Sequence, residues 1–243
     1  MKLNCDLGEG FGAWVKGLDN EIMPHIDLAN IACGFHASDP VTMQKTINLA
    51  QLHNVTIGAH PGYPDLIGFG RRSMKLSPQE LSANLLYQIG ALQSLCLSQQ
   101  TKVCYVKPHG ALYNDMMADP AIFTIICQTL AKLPSKLPLI VQALPDTSAF
   151  RAIAKQYKIS LWFEAFADRE YQDNGLLVER SHKAAVIHDA DKVVARCQYL
   201  LEHQQLLSIN NQPLSLTVDT LCVHGDNPTA VALAQKLSKL LHD

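Results

Sequence analysis

The sequence predicts an α/β protein folded as a TIM-like (β/α)7 barrel, and three observations predict it. Short apolar runs alternate with segments of helical periodicity, a pattern that implies βαβ crossovers and a parallel sheet. About seven such units fit into 243 residues, which suits a closed barrel better than an open sheet. Polar residues gather at the end of almost every apolar run, whereas an open sheet would gather its ligand groups at one switch point. No linker, low-complexity tract or internal repeat divides the chain, so one barrel domain is expected over residues 1–243.

The elements follow in order. Leu3 to Leu7 is the first expected strand, running into Gly8, Glu9, Gly10 and Gly12. His25 to Cys33 contains the second, ending in Gly34, Phe35 and His36, and Asp39-Pro40 then opens a helix to about Leu52. Val55, Ile57 and Ala59 alternate into a third strand. The loop after it is rich in glycine and proline and carries His60, Asp65, Arg71 and Arg72. Ser77, Pro78 and Glu80 fit N-cap, N1 and N3 of a capping box, and Leu81, Leu85, Ile89, Leu92 and Cys96 form the apolar stripe of the helix they start. Val103 to Lys107 is the fourth strand, ending at Pro108, His109 and Gly110, with a helix capped by Asp119-Pro120 behind it. Leu137 to Ala143 is the fifth, with a helix from about Asp146; it alone ends without an obvious polar cluster. Ser160 to Ala165 is the sixth, ending in Glu164 and then Asp168 and Arg169. An irregular stretch leads to the helix opened by Asp189, and Thr217 to His224 is the seventh strand, before a last helix at Asn227-Pro228.

Composition narrows the class without naming a function. Hydrophobic residues at 48% and charged residues at 17% are those of a globular protein. A net charge of −2 gives no reason to expect nucleic acid or an anionic membrane as partner. No apolar run approaches the ~20 residues of a membrane span, and Met-Lys-Leu-Asn-Cys-Asp at the start has no apolar signal region. Seven cysteines, an odd number without CxxC spacing, are expected as reduced thiols in a cytoplasmic protein.

Side chains at the carboxyl ends of barrel strands converge, so residues distant in sequence can share one pocket. The residues expected to carry chemistry are Asp6, Glu9, His60, Lys107, His109 and Glu164. Those expected to hold substrate or phosphate are Asn4, Asn30, His36, Arg71, Arg72, Asp168, Arg169 and His224. Capping explains Asp39 and Asn227 better than catalysis does. Tyr63 and Phe69 suit covering the mouth as well as touching substrate. His36, His60, His109 and His224 each end a different expected strand, which favours function over structure. Burying Lys107 would be costly without an anion, and Asp6, Glu164 or a ligand phosphate would supply one. Stripping such charges from a working site is expected to leave stability unchanged or raised. The acids and imidazoles could also hold a divalent metal, with Asp6, His36 and His60 as the set; no compact motif such as HExxH decides the matter. No GxxxxGK[ST] run exists, so a P-loop is excluded.

Seven segments, taken together, resemble the LamB/YcsF family, that of the A subunit of the bacterial ATP-dependent 5-oxoprolinase. They are Asn4-Cys-Asp-Leu-Gly-Glu, Ala29-Asn-Ile-Ala-Cys-Gly-Phe-His-Ala, Gly58-Ala-His-Pro-Gly-Tyr-Pro-Asp-Leu, Gly68-Phe-Gly-Arg-Arg, Val106-Lys-Pro-His-Gly-Ala-Leu-Tyr-Asn, Glu164-Ala-Phe-Ala-Asp-Arg and Cys222-Val-His-Gly-Asp-Asn. The likeness runs in order from Asn4 to about Asn227, and one departure is Ser38, where the family usually has glycine.

The resemblance implies a seven-stranded barrel related to the glycoside hydrolase/deacetylase superfamily. It implies cleavage of 5-oxo-L-proline to L-glutamate coupled to hydrolysis of ATP, with Mg2+ accompanying the nucleotide, in company with subunits B and C. Homo-oligomerisation is left open. Phosphorylating the lactam oxygen would activate the ring carbon to water, needing cations for the transferring phosphoryl group and a base such as Asp6, Glu9 or a strand-end histidine for the water. Two other classes stand beside this one: a stand-alone metal-dependent amide or acetyl hydrolase, and a non-catalytic subunit that binds a small acid for a partner.

Overall fold

The computed structural model describes residues 1–180, 182–223 and 228–242, with no side-chain description at 228–229. Seven parallel strands close into a barrel: β1 (Lys2–Leu7), β2 (Leu28–Ala32), β3 (Thr56–His60), β4 (Tyr105–Val106), β5 (Leu139–Gln142), β6 (Leu161–Phe166) and β9 (Thr220–Val223), which pairs back onto β1. All of its pairings are parallel, from Asn4 opposite Leu28 round to Lys2 opposite Thr220. The (β/α)7 barrel expected from the alternation of runs is the fold of the chain.

The helices α2 (Pro40–Leu52), α3 (Pro78–Ser98), α5 (Pro120–Ala131), α6 (Ser148–Gln156), α7 (Ala190–His203) and α8 (Pro228–His242) follow the expected positions. Several of them start on the capping residues expected of them. The Asp39 carboxylate accepts from the Val41 and Thr42 amides, and Asp119 accepts from Ala121. The Ser77–Glu80 capping box is fully formed. Each such cap stabilises its helix by about 1 kcal/mol. Asn227 and its expected cap lie outside the described residues.

Five short elements have no counterpart in the sequence reading. A short α1 (Asp19–Ile22) runs into a 3-10 turn, α4 (Gly110–Ala118) begins directly after His109, and β7 (Gln205–Leu207) pairs antiparallel with β8 (Pro213–Ser215). All are too short for a periodicity to declare them. Among the described residues no helix is long and apolar enough to cross a membrane.

The core has two parts. The larger lies between barrel and helices and draws on the outward faces of the strands, such as Leu3, Cys5 and Leu7, with α3 residues Leu85, Ile89 and Leu92 against them. A separate plug of Leu28, Tyr105 and Ile140 lies inside the barrel. Gly58 makes room for that plug: a Cβ there would overlap the Tyr105 ring. Above the plug, the barrel interior turns polar.

Candidate functional site

The floor of the site is a layer of satisfied polar side chains. Asn30 Oδ1 accepts from the Tyr105 hydroxyl at 2.7 Å, and Asn30 Nδ2 donates to Asn4 Oδ1 and Asp6 Oδ1, both at 2.8 Å. Asn4 Nδ2 in turn donates to Thr220 Oγ1 at 2.8 Å. Both asparagines are fully buried, and a closed network of this kind rigidifies what stands on it. Asn4 and Asn30, expected to hold substrate, do not border the cavity; they position Asp6 and Lys107 from beneath.

Lys107 rises from the end of β4 into the barrel axis. Its Nζ lies 3.0 Å from Asp6 Oδ1, 2.9 Å from Glu164 Oε1, 3.1 Å from Asn4 Oδ1 and 3.2 Å from Cys222 Sγ. The anionic partner that its burial requires is therefore Asp6 together with Glu164. Burial alone would push the ammonium down, but the Asp6 and Glu164 carboxylates outweigh it and hold Lys107 well above lysine's ordinary value. Lys107 is a permanent cation at the bottom of the mouth. Burial drives the Cys222 thiol well above its usual value, so it stays protonated.

One turn higher stand the histidines. His60 Nδ1 lies 2.7 Å from the Lys107 carbonyl oxygen, and its Nε2 lies 3.4 Å from Asp6 Oδ2. His109 Nδ1 lies 3.0 Å from His60 Nε2, and His109 Nε2 lies 2.9 Å from the Phe69 carbonyl oxygen. The His36 ring stacks on His109 with centroids 3.7 Å apart. The two rings can be covered because residue 70 is glycine: a Cβ there would lie 2.7 Å from His36 Cβ and 2.8 Å from His109 Cδ2. Burial, then neighbouring imidazoles, push both His36 and His109 well below histidine's usual value, which keeps them neutral. Glu9 comes from the loop after β1, with Oε1 3.8 Å from His36 Nε2 and 3.7 Å from His109 Nδ1. Burial and the nearby Asp6 charge raise the Glu9 carboxyl to about 7. One ligand atom from each of Glu9, His36, His60 and His109 falls within 4.8 Å of all the others, a cluster that could hold a metal ion. The expected set contained Asp6 in place of Glu9 and His109; Asp6 Oδ1 is instead taken by Lys107 and Asn30.

These groups open into a cavity of about 480 Å³ bordered by Asp6, Glu9, His60, Lys107 and His109, with Arg71, Arg169 and Arg180 at its walls. Arg169 is buried and donates to the carbonyls of Ala185 and Val178 at 3.1 and 2.6 Å. Burial lowers its guanidinium to about 10, which leaves it charged at neutral pH. Gln142, at the end of β5, donates to the Gly175 carbonyl at 2.7 Å. The fifth strand thus does end in a polar group, and Gln142 with Arg169 ties the 166–188 stretch across the mouth.

Other expected residues sit elsewhere. Arg72 grips the Asp65 carboxylate with two N–H groups, one of them Nε to Oδ2 at 2.9 Å, while its side chain is 65% exposed. It braces the loop and does not face the cavity, unlike its neighbour Arg71. Glu164 is fully buried behind Lys107, and Asp168 is buried without bordering the cavity. His224 lies outside the described residues. Tyr63 is buried and donates to Asp115 at 2.9 Å, so it supports the loop, while the Phe69 ring packs edge-on against His36 and His109. Sequence reasoning missed Tyr113, Arg180 and Gln142 as cavity residues. Only Tyr113 had a signal, its place in the Val106-to-Asn114 segment.

At Ser38 the backbone has φ of +76°, in the region that favours glycine. The departure from the family pattern therefore falls on a turn that glycine suits better.

Known proteins resemble the chain over its whole length. It is 49% identical over 242 residues to the 5-oxoprolinase A subunit of Vibrio parahaemolyticus, covering 100% of this chain and 96% of that one. It is 51% identical over 241 residues to the 5-oxoprolinase A subunit numbered 2 of Pseudomonas putida, covering 99% and 93%. Among solved structures, the "Lactam Utilization Protein" from Thermus thermophilus superposes with a TM-score of 0.91 at 36% identity, covering 99% and 95%. A putative cellobiose-phosphate cleavage protein from Enterococcus faecalis, at 11% identity and a TM-score of 0.55, covers 100% and 90% and shares the fold alone. The LamB/YcsF family model matches residues 1–243, and with relatives of this identity along the full chain, the protein belongs to the LamB/YcsF family.

Proposed function

We propose that the chain works as the A subunit of an ATP-dependent 5-oxoprolinase, opening the lactam of 5-oxo-L-proline to L-glutamate while ATP is hydrolysed to ADP and phosphate. The observation that carries this reading is the cavity: a permanent cation, three guanidiniums and three carboxyl groups, Asp6, Glu9 and Glu179, converge on one space. The relatives' names, which speak of 5-oxoprolinase and lactam utilization, support the same substrate class.

The chemistry follows from the arrangement. An amide carbonyl resists water, and transferring a phosphoryl group to the lactam oxygen makes the ring carbon electrophilic. Arg71 and Arg180 suit the substrate carboxylate and the phosphates, and Arg169, whose Nε and Nη2 hold backbone carbonyls, adds its charge to the wall. Lys107 offsets charge that builds on the lactam oxygen. The Asp6 carboxylate, held by Lys107 and Asn30 through Oδ1, turns Oδ2 toward His60 and accepts the proton of the attacking water there. Collapse of the tetrahedral carbon breaks the ring C–N bond, the nitrogen taking the proton that Asp6 accepted and leaving as the amine, and a second water hydrolyses the acyl phosphate left on the side-chain carbon to give glutamate and phosphate.

ATP, brought with Mg2+, has no P-loop to meet here, so a partner must close over the nucleotide. Subunits B and C are the partners this reading requires, and the relatives' names, which make each of them one subunit of a 5-oxoprolinase, support an assembly. Trp14, Val15 and Ile67 stand 72, 93 and 95% exposed on the loops after β1 and β3, at the end of the barrel that holds the cavity. Apolar side chains so placed suit a protein that covers the mouth. Seven free cysteines, six of them buried, fit a reducing cytoplasm.

The test is glutamate release from 5-oxoproline, ATP and Mg2+ by the chain alone and with subunits B and C. Turnover should need all three chains and ATP, and Asp6→Asn in the assembled enzyme should abolish it. Multiple turnover by the chain alone without ATP would replace this reading with a self-sufficient metal-dependent amide hydrolase, which the Glu9–histidine cluster favours. Full activity of the Asp6→Asn assembly would make the chain a ligand-binding subunit.

A further inference from the structure

The hydrogen bonds of the histidine cluster do not balance with protein groups alone. His60 Nδ1 faces the Lys107 carbonyl and His109 Nε2 faces the Phe69 carbonyl. A carbonyl only accepts, so each of these nitrogens carries the ring's proton. A neutral imidazole has one N–H, and the other nitrogens, His60 Nε2 and His109 Nδ1, then both present lone pairs. These two face each other at 3.0 Å. His36 adds a second, independent anomaly: it is fully buried and neither of its nitrogens has a hydrogen-bond partner. A buried polar atom left unsatisfied destabilises the fold, and His36 Nε2 is aimed at Glu9.

We propose that Glu9 Oε1, His36 Nε2, His60 Nε2 and His109 Nδ1 bind one divalent first-row transition-metal ion. An ion satisfies at a stroke the facing lone pairs, the orphaned imidazole and the Glu9 carboxylate. Donors about 2.1 Å from one ion lie about 3.0–3.4 Å apart when adjacent and about 4.2 Å apart when opposite. The separations here are 3.0, 3.7 and 3.8 Å for the pairs named, with every donor atom within 4.8 Å of the rest. Small rotations of the rings and of the Glu9 carboxylate bring the set onto a common centre. Three imidazoles with one carboxylate suit zinc, cobalt or ferrous iron, whereas magnesium and calcium prefer oxygen ligands throughout. The two backbone carbonyls behind His60 and His109 fix tautomer and ring orientation, as the outer partners of metal-binding histidines do. Glu9, His60 and His109 border the cavity, so the ion offers it a Lewis acid next to Asp6. The site stands whether or not the chain opens lactams.

The rival account of the 3.0 Å contact is a second proton on His60, paired with Asp6 Oδ2 at 3.4 Å. Equilibrium dialysis of the full chain against Zn2+, then Co2+, separates the two. Elemental analysis should find one ion per chain, and the Co2+ protein should show visible d–d absorption of a nitrogen-ligated ion. His36→Ala and Glu9→Gln should each lower affinity by at least about tenfold, while His203→Ala, half-exposed on α7, should bind as the parent does. Circular dichroism of each variant shows that it is folded, and should His36→Ala not fold, Glu9→Gln, which keeps the side chain's shape, carries the test. A folded parent chain that takes up less than a tenth of an ion at micromolar free Zn2+ would overturn the proposal in favour of the protonated His60. Equal uptake by the parent and the folded cluster variants would overturn it as well. The readout is metal content, so failure of 5-oxoproline turnover would leave the result intact.

Discussion

Replacing Lys107 by methionine keeps most of the stem and removes the charge from the centre of the barrel. Asp6 and Glu164 then remain, 3.0 and 2.9 Å from where the ammonium stood, with Glu164 fully buried. Breaking a buried ion pair by removing one partner costs about 3–5 kcal/mol. A proton on one carboxyl group can take the cation's place. Loading it costs about 1.4 kcal/mol per pH unit above the ordinary glutamate value of about 4.3, hence about 4 kcal/mol at pH 7.5 and about 1.6 at pH 5.5. The sign is set by linkage: the folded variant holds a proton that the unfolded chain releases, so its stability is greatest below that ordinary value and falls as pH rises. Urea melts should show Lys107→Met less stable than the parent by about 4 kcal/mol at pH 7.5 and by about half that or less at pH 5.5. Adding Glu164→Gln should restore most of the loss at both pH values, because the fully buried charge is then gone and Asp6, partly exposed, keeps the Asn30 donor. The geometry thus reverses the simple expectation that removing a working-site charge leaves stability unchanged or raised. That rule holds for strained, uncompensated groups, and Lys107 is compensated twice. Equal stability of Lys107→Met and the parent at both pH values would refute the reasoning, as would a double variant no more stable than the single one.

Ser38→Gly should raise stability by up to about 1 kcal/mol in the same melts, since relief of left-handed strain, about 1–2 kcal/mol, exceeds the entropy that glycine adds to the unfolded chain. Asp19 is raised by burial to about 6, so its contribution is present below the ordinary aspartate value and lost as pH rises through 6. Asp19→Asn should therefore flatten the decline in stability between pH 4 and pH 8, by at most about 3 kcal/mol; an unchanged slope would count against the burial of that carboxyl. Six cysteines are buried and Cys104 is partly exposed, so native protein should react quickly with a thiol reagent at one site and the denatured chain at seven.

The barrel was legible because its signals are local. An apolar strand, a polar end and a capped helix are each written in a few adjacent residues, and Asp39, Ser77 and Asp119 cap where their neighbours say they should. Strand ends also pointed to Asp6, His60, Lys107 and His109, since residues at those positions converge in any barrel. Depth along the axis is another matter. Asn4 and Asp6 sit two residues apart on one inward face, and nothing in the sequence says that the first is sealed under the second. Arg71 and Arg72 are adjacent, but whether each meets the cavity depends on the loop path, which Asp65 decides by taking the Arg72 guanidinium. Glu9 shows the same limit from the other side. It lies beyond the end of β1 in a glycine-rich loop, where backbone periodicity has stopped and only packing against His36 and His109 gives its carboxylate a direction. A residue's rank along a strand can be counted, but what a loop side chain faces is fixed by contacts distant in sequence, and at this mouth those contacts decide which groups meet the ligand.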